Sequence, residues 1–313
     1  MSTSFTHIFN GDSTAEAYAH SGLEGQEFVW REMVVQGPSK GIPGQESFFG
    51  PRRTYFQKEL GMSAESYYSL TEEEWHRMAG ASRRGEWVLW YEYDVFCQFN
   101  LIALLAGIHY WDNPPDRLSL ICVGEDENHR WNTLANFSPD QYPKLLDTRK
   151  GLTHDDLLYA ATVWEAFIQK APLGLLPFAQ TPHPSFPYLG LAIGYYLRQF
   201  PQAHNGLNTL EDILLQEIAQ SPKTQPQLIR QVLLQRNHPF GFGDLQWMWY
   251  MKKLQPLWLQ EDDHLSLTNL GKKVLEGDTV YREHLAGRHF GGATALDYIW
   301  EEDREEIRPF PEK

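Results

Sequence analysis

Residues 86–94 read EWVLWYEYD, and this stretch decides the fold. Its aromatic and β-branched residues favour a buried strand, and Asp94 stands where the cap of a following helix is expected. The next segment, VFCQFNLIALLAGIHY over residues 95–110, is apolar around most of a helical circumference. A helix of this kind packs between a sheet and another layer. The stretch therefore predicts a strand that leads directly into a buried crossover helix.

Three further segments have the composition of strands: residues 6–10 (THIFN), 26–32 (QEFVWRE) and 117–123 (RLSLICV). After the first of them, Gly11-Asp12-Ser13 supplies a turn and a cap for a helix that begins with TAEAYAHS. Parallel neighbouring strands need crossover connections, and strands that alternate with helices provide them. The sequence therefore predicts the α/β class, with a Rossmann-like parallel sheet in a domain over residues 1–130.

The connection that precedes EWVLWYEYD carries two further predictions. Residues 36–53 are rich in Gly and Pro, which is typical of a long functional loop or a poorly ordered lid. Ser69-Leu-Thr-Glu-Glu-Glu74 has the pattern of a capping box, so we expect a helix that carries Trp75 and Met78 to begin there.

The strand signal disappears after about residue 130. Residues 131–205 are predicted to form a helical connector, and residues 206–313 a winged helix-turn-helix with a C-terminal tail. Its helices are expected to begin at Thr209, Pro226 and Gly243-Asp244, its wing turns at Glu261–Asp263, and TNLGKKVLEG closes it. In the tail, Gly291 and Gly292 indicate a turn or a close backbone approach that could bring the tail back near the α/β pocket. A solvated extension is the alternative.

The composition limits the classes of function. The 313 residues include 27 Lys+Arg and 41 Asp+Glu, which gives a formal charge of −14. This balance disfavours a broad nucleic-acid surface, because such affinity depends on basic side chains that displace counterions. Cys97 and Cys122 lie inside apolar runs, so a disulfide or metal framework is not expected. With neither a secretory signal nor a spanning helix in view, we expect a cytoplasmic protein with no membrane partner.

Every predicted strand ends in carboxylates, and this is where a ligand is expected. In an open parallel sheet, ligands bind where loops leave the carboxyl ends of the strands. These ends are Asn10-Gly11-Asp12-Ser13, Trp30-Arg31-Glu32, Glu92-Tyr93-Asp94 and Gly124-Glu125-Asp126. The leading hypothesis is a metal-free pocket for a small polar, phosphorylated or nucleotide-like ligand. The turn after the first strand lacks both G-x-G-x-x-G and G-x-x-x-x-G-K-[ST], so the sequence does not favour dinucleotide or Walker-type binding.

The same residues allow a second hypothesis, an Mg²⁺-dependent phosphotransfer or nuclease enzyme. Glu92 and Asp94 are two apart, so they share a face if both are extended, and with Asp12 they could hold Mg²⁺. Arg31 could then bind an anion with two hydrogen bonds. Purely structural roles compete with this hypothesis. Asp94 could cap the helix at Val95, Ser13 could cap the helix at Thr14, and Arg31 could pair with Glu32 or Glu92.

A third hypothesis is a transcription regulator that uses the winged helix. Its third helix, DLQWMWYMKK, offers only Gln246, Lys252 and Lys253 as plausible nucleic-acid contacts. The wing tip carries three acids where a phosphate would approach. DNA is therefore an improbable partner, and a winged helix that packs against protein or dimerises is favoured.

Three motifs in order also resemble a known family. HIFNGDSTAEAY (residues 7–18), VWRE (29–32) and VLWYEYDVFCQFNLIALL (88–105) together are similar to the bacterial domain of unknown function 1835 family. Its members tend to begin with a strand ending in N-G-D-S and to carry W-R-E and E-x-D-x-x-x-Q. LTNLGKKVLEG and HFGGAT are similar to the C-terminal part of longer members. Tyr93 stands where His would be expected, and the resemblance implies no particular reaction.

The positions that the resemblance marks as family-type residues, and that we expect to contact the ligand, are Asn10, Gly11, Asp12, Ser13, Trp30, Arg31, Glu32, Glu92, Asp94 and Gln98.

Overall fold

The structure is a computed structural model that describes residues 4–169, 172–234 and 239–310. Its strands are β1 (Phe5–Phe9), β2 (Gln26–Val29), β3 (Gly37–Pro38), β4 (Glu86–Glu92), β5 (Arg117–Val123), β6 (Lys150–Leu152), β7 (Trp258–Glu261), β8 (His264–Leu267), β9 (His289–Gly291), β10 (Ala293–Thr294), β11 (Tyr298–Glu301) and β12 (Glu306–Pro309).

Its α-helices are α1 (Asp12–Ala19), α2 (Glu46–Leu60), α3 (Ala64–Tyr67), α4 (Glu73–Gly80), α5 (Val95–His109), α6 (Tyr142–Asp147), α7 (His154–Ile168), α8 (Leu176–Gln180), α9 (Leu189–Leu197), α10 (Thr209–Gln220), α11 (Gln225–Leu234), α12 (Asp244–Lys253) and α13 (Asn269–Leu275). Within the described residues, no helix is both long enough and apolar enough to cross a membrane.

The main sheet has five strands in the order β2-β1-β4-β5-β6. The first four are parallel, and β6 runs antiparallel to β5. The mixed α/β class and the mostly parallel sheet are confirmed. The sheet nevertheless extends past the predicted boundary at residue 130, because β6 adds to its edge with only three residues, too few to give a strand pattern.

The path of the chain through this sheet creates a reversal. From β1 the chain moves to β2 on one side, and it then returns to the other side of β1 to form β4. Connections leave β1 and β4 in opposite directions along the sheet. A crevice opens at the carboxyl ends of two strands related in this way, because no crossover covers the gap between them.

Both faces of the main sheet are buried, which explains the unbroken apolar run of β4. On one face, Val88 and Trp90 pack with Tyr18 of α1 and Tyr142 of α6. On the other face, Trp87 and its neighbours Leu89 and Tyr91 belong to a large core that includes α5. As expected from the sequence, α5 is buried on nearly every side.

The predicted loop and capping box before β4 are both corrected. Residues 46–53 belong to α2, whose Arg52 is completely buried, so only the first part of the Gly- and Pro-rich segment is a loop. The helical stretch that carries Trp75 begins earlier than predicted, because the Ser63 hydroxyl accepts a hydrogen bond from the Ser66 amide and caps α3. A π-helical turn at Tyr68–Glu72 then joins α3 to α4.

The predicted helical connector packs directly on α5. Phe99 of α5, Phe167 of α7 and Tyr196 of α9 form a triangle of rings with centroids 4.8–5.4 Å apart. One hydrophobic core runs from β1 to Ile307 through these helices. The division at residues 130 and 205 remains a prediction from the sequence.

The C-terminal elements appear in the predicted order: α10, α11, α12, the hairpin β7–β8 and then α13. The first helix is capped by Asn208 rather than by Thr209, because the Asn208 side chain accepts from the Glu211 amide. The tail returns to the N-terminal half, where β9 pairs in parallel with β3. Gly291 and Gly292 are required there, since a Cβ on either would overlap α7 at Phe167 or Ile168.

Candidate functional site

A cavity of about 350 Å³ lies at the carboxyl ends of β1 and β4, at the reversal of the sheet. Asn10, Gly11, Ser13 and Thr14 form one side of it, where β1 turns into α1. Gly11 is extended at φ −176°, and a Cβ there would meet nothing within 4 Å. The first amides of α1 have no acceptor inside the helix, so this side of the cavity can donate hydrogen bonds to a ligand.

A chain of amides holds Asn10 in place. The Asn100 Nδ2 group of α5 donates to Asn10 Oδ1 at 3.0 Å, and Asn10 Nδ2 donates to Cys97 Sγ at 3.0 Å. Asn100 also accepts from the Val34 amide at 3.2 Å. These contacts are buried, so the end of β1 is fixed to α5 before any ligand arrives.

The end of β4 contributes Glu92 and Asp94. The Asp94 carboxylate accepts from the Cys97 amide at 2.7 Å, which confirms that this residue caps α5. Burial raises the pKa of Asp94 to about 6. Glu92 accepts from the Leu134 amide at 2.8 Å, which ties β4 to a short 3-10 turn on the rim of the cavity.

The start of α5 is closed to a ligand. The Val95 amide donates to the Pro239 carbonyl at 2.9 Å, and the Phe96 amide donates to the Phe240 carbonyl at 3.1 Å. Gly241 then lies directly over Asp94, since a Cβ at this residue would stand 2.0 Å from Asp94 Oδ1. An anion in the cavity would therefore meet the start of α1 rather than that of α5.

The C-terminal helices complete the cavity with an apolar wall. The cavity is lined by Val232 and Leu233 of α11, by Phe242 just before α12 and by Trp247 of α12. Trp90 of β4 borders it at the end of the strand, with its side chain completely buried. The cavity is therefore built jointly by the sheet and the predicted winged-helix segment, the first supplying polar groups and the second mainly apolar side chains.

Arg31 and Asp12 do not line the cavity, because they pair with each other. The Arg31 guanidinium donates to Asp12 with N–O distances of 2.6–3.0 Å and to the Leu70 carbonyl at 3.3 Å. The β2 strand ends at Val29, so Arg31 lies in a loop rather than at a strand tip. The alternative in which Arg31 pairs with Glu32 or Glu92 is therefore wrong.

Three more predicted residues are buried away from the cavity. Trp30 packs against Trp75 with ring centroids 5.0 Å apart. Glu32 pairs with Arg52 inside the protein. Gln98 donates to the Glu92 carbonyl at 2.6 Å and to Cys122 Sγ at 3.3 Å, so it supports the end of β4 from behind. Of the ten predicted residues, the cavity brings together Asn10, Gly11, Ser13, Glu92 and Asp94.

The predicted magnesium set of Asp12, Glu92 and Asp94 does not form. The group whose ligand atoms lie within 4.8 Å of one another is Glu92, Asp94 and Cys97, in the described part of the chain. Asp12 is held by Arg31, on the exposed surface. Magnesium prefers oxygen ligands, whereas Cys97 offers sulfur, and burial raises the pKa of this thiol well above its ordinary range. Without Asp12, the group lacks the third oxygen ligand on which the magnesium hypothesis depends.

Ser13 is also not a helix cap. The N-cap position of α1 is Gly11, with no side-chain cap, and α1 begins at Asp12. Because Ser13 stands in the first turn instead, it faces the cavity with Thr14.

Several cavity residues were not predicted as site residues. Cys97, Thr133, Leu134, Phe242 and Trp247 come from three separate stretches of the chain, and their sequence patterns indicate only burial. Trp90 and Trp247 are both buried. The glycines of Gly241-Phe-Gly243 are a local signal in the sequence for a close approach of the backbone. In the structure, Gly241 has φ +70°, which favours glycine.

Of the three predicted DNA-contacting residues of α12, Gln246 and Lys253 have partners within the protein, whereas Lys252 is exposed. Gln246 is buried and accepts from the Gly243 amide at 2.9 Å. Lys253 forms an ion pair with Glu59 of α2 at 2.6 Å, and Trp249 donates to the same carboxylate at 3.1 Å. This helix therefore packs against α2 and lines part of the cavity.

No protein-family model matches the chain, and no curated protein matches it significantly. The resemblance to the domain of unknown function 1835 family stays a prediction.

Proposed function

We propose that the protein binds a small polar ligand, phosphorylated compounds included, in the cavity between β1 and β4. The observation that carries the proposal is the position of the cavity at the reversal of strand order. Ligands of open α/β sheets bind in this crevice because loops and helix starts converge there. The proposal includes a Rossmann-like character for the sheet.

The two sides of the cavity indicate how the ligand lies. A phosphate or carboxylate would accept hydrogen bonds from the first amides of α1 and from the Ser13 and Thr14 hydroxyls. The apolar part of the ligand would then face Phe242 and Trp247, and its hydroxyl groups would donate to the Glu92 carboxylate. A volume of about 350 Å³ is within the range of small-molecule sites.

A carboxylate introduced at residue 11 should weaken the binding of an anionic ligand. Gly11→Glu places its side chain in open space without backbone strain, because φ is −176°. We expect at least about tenfold weaker binding through charge repulsion and occlusion, with an unchanged melting temperature. The measurement is calorimetric titration of AMP, ATP and ribose 5-phosphate, preceded by thermal-shift screening of sugar phosphates and nucleotides.

Gly80→Glu is the matched control. Gly80 is exposed at the end of α4, and a Cβ there also meets nothing within 4 Å. This variant should bind as the wild type does. Wild-type protein that binds no member of the panel, or a Gly11→Glu variant that binds normally, would contradict the proposal.

We further infer that α10–α13 and the β7–β8 hairpin form a winged helix used as a packing module. The observations that support this are the element order, the Leu265 amide that donates to the Lys223 carbonyl at 2.8 Å, and the inward face of α12. A role in DNA binding loses support, because two of its three predicted contacts, Gln246 and Lys253, have partners within the protein, which leaves Lys252 alone. A cytoplasmic location remains a prediction.

A further inference from the structure

The first turn of α5 brings a thiol against the two carboxylates at the end of β4. Ligand atoms of Glu92, Asp94 and Cys97 lie within 4.8 Å of one another. All three residues line the cavity, with Asp94 and Cys97 buried and Glu92 half-buried. Two oxygen donors and one sulfur donor are therefore grouped at the end of the cavity that the sheet supplies.

Local structure holds these donors in place. Asp94 is the N-cap of α5, and its Oδ1 accepts from the amide of Cys97, the third residue of the helix, at 2.7 Å. Glu92 is the last residue of β4, and its Oε1 accepts from the Leu134 amide at 2.8 Å. Each carboxylate is thus positioned through one of its two oxygens.

A hydrogen-bond donor of fixed orientation reaches the sulfur. The Val34 amide donates to Asn100 Oδ1 at 3.2 Å, and Asn100 Nδ2 donates to Asn10 Oδ1 at 3.0 Å. Asn10 therefore turns its Nδ2 group towards Cys97 Sγ, at 3.0 Å. An amide nitrogen can only donate, so the sulfur is the acceptor. Such a donor favours a thiolate, because hydrogen bonds to a charged acceptor are stronger, and donors behind a metal ligand orient it.

We propose that Glu92, Asp94 and Cys97 bind a thiophilic divalent cation, of which Zn²⁺ is the first candidate. Zn²⁺ accepts thiolate and carboxylate ligands together, with bonds of about 2.3 Å to sulfur and about 2.0–2.2 Å to oxygen. Tetrahedral ligation at these lengths places the ligand atoms about 3.5 Å apart. The spacing of at most 4.8 Å has to shrink by about 1.3 Å or less, which rotation of side chains can supply.

The sulfur separates this site from the magnesium set that does not form. Mg²⁺ requires oxygen ligands in a nearly octahedral arrangement, whereas a thiolate selects zinc-like ions. Binding replaces the proton of the Cys97 thiol by a bond from sulfur to the cation, and the proton leaves to the solvent. The step needs neither an oxidant nor a reductant.

The number of ligands indicates the kind of metal site. Within the described residues, the set has three members, and three protein ligands leave one position of a tetrahedron for water or a ligand. Zinc sites with an open position are typical of catalysis, whereas structural zinc sites have four protein ligands. In the loaded protein, an anionic ligand in the cavity would have a cation beside the start of α1. This use of the metal rests on the proposed function, whereas the metal site itself does not.

The direct experiment is a titration of the chelator-treated full chain with Co²⁺, which occupies zinc sites and shows sulfur ligation in its absorption spectrum. We expect one equivalent of Co²⁺ to give a sulfur-to-cobalt charge-transfer band in the near ultraviolet. Zn²⁺ should displace Co²⁺ and remove the band. Cations held only by surface histidines or carboxylates give no such band, so the spectrum distinguishes this site from adventitious binding.

The two cysteines of the chain supply matched variants. Cys97→Ser should lose the band, and it should fold because a serine oxygen can still accept from Asn10. Cys122→Ser is the control and should keep the band, because Cys122 is outside the ligand set and accepts instead from Gln98 at 3.3 Å. Glu92→Gln retains an acceptor for the Leu134 amide but removes a charge, and should weaken Co²⁺ binding by at least about tenfold. Melting temperatures of the metal-free variants check that each is folded.

The outcomes separate the metal site from the proposed function. A wild-type protein that gives no sulfur band with excess Co²⁺, or a band that persists in Cys97→Ser, would overturn the metal site. If the band appears and depends on Cys97, but AMP binds neither with nor without Zn²⁺, the metal site stands and the proposed ligand class fails. If AMP binds and no band appears, the binding function stands and the metal site fails.

Discussion

Glu32→Gln is expected to lower the free energy of unfolding by about 3–5 kcal/mol, the usual effect of removing one partner of a buried ion pair. Glu32 accepts from Arg52 Nε at 3.0 Å and Nη2 at 2.8 Å, and both side chains are completely buried. The Tyr67 hydroxyl and the Met33 amide donate to the same carboxylate. Glutamine keeps an acceptor but leaves the Arg52 charge without a counter-charge. Urea denaturation followed by circular dichroism measures the loss.

Glu46→Gln is the control for this prediction. Glu46 also pairs with an arginine, Arg53, at 3.2 Å, but its side chain is 74% exposed. Solvent screens this pair, so we expect a change of less than about 1 kcal/mol. Equal losses in the two variants would show that burial does not govern the contribution of Glu32.

Glu211→Gln is expected to lower stability by a similar amount, about 3–5 kcal/mol, and to remove part of its dependence on pH. Glu211 accepts from Arg288 and lies 3.0 Å from His284 Nε2, and it also accepts from the Asn208 amide at 2.9 Å. The carboxylate thus joins the start of α10 to the returning tail. Arg288 also stacks over Trp249 at 4.7 Å, so the tail would loosen from α12 as well.

The sign of the pH effect follows from the pKa of Glu211. Burial alone would raise this pKa, but the charges of Arg288 and His284 lower it to about 2, below the ordinary value of 4.5. The folded state therefore releases this proton more readily than the unfolded chain does. Its stabilisation is complete above about pH 4.5 and is lost as the pH falls towards 2. The free energy of unfolding, measured at several pH values between 7 and 2, should change less with pH in Glu211→Gln than in the wild type.

Glu305→Gln is the matched control, since Glu305 pairs with Arg198 at 2.9 Å with its side chain 73% exposed. It should change stability by less than about 1 kcal/mol and keep the wild-type pH dependence. Wild-type pH dependence in Glu211→Gln would contradict the assigned pKa.

The sequence by itself determined the elements that are governed by local pattern. The apolar run of β4, the Asp94 cap and the apolar circumference of α5 are properties of one short stretch, and all three are found. The start of α12 at Asp244 and the β7–β8 hairpin follow equally local signals. Such patterns are readable because burial repeats with the period of each element.

Only the tertiary structure decided which polar groups meet. The sequence offers Arg31 several carboxylates as partners. Because β2 ends early, Arg31 pairs with Asp12 and does not line the cavity. Cys97 replaced Asp12 beside Glu92 and Asp94, because the first turn of α5 returns over the end of β4. The apolar wall came from Val232, Leu233, Phe242 and Trp247, far along the chain. Pairings of this kind depend on how distant segments pack, and a local pattern carries no information about that packing.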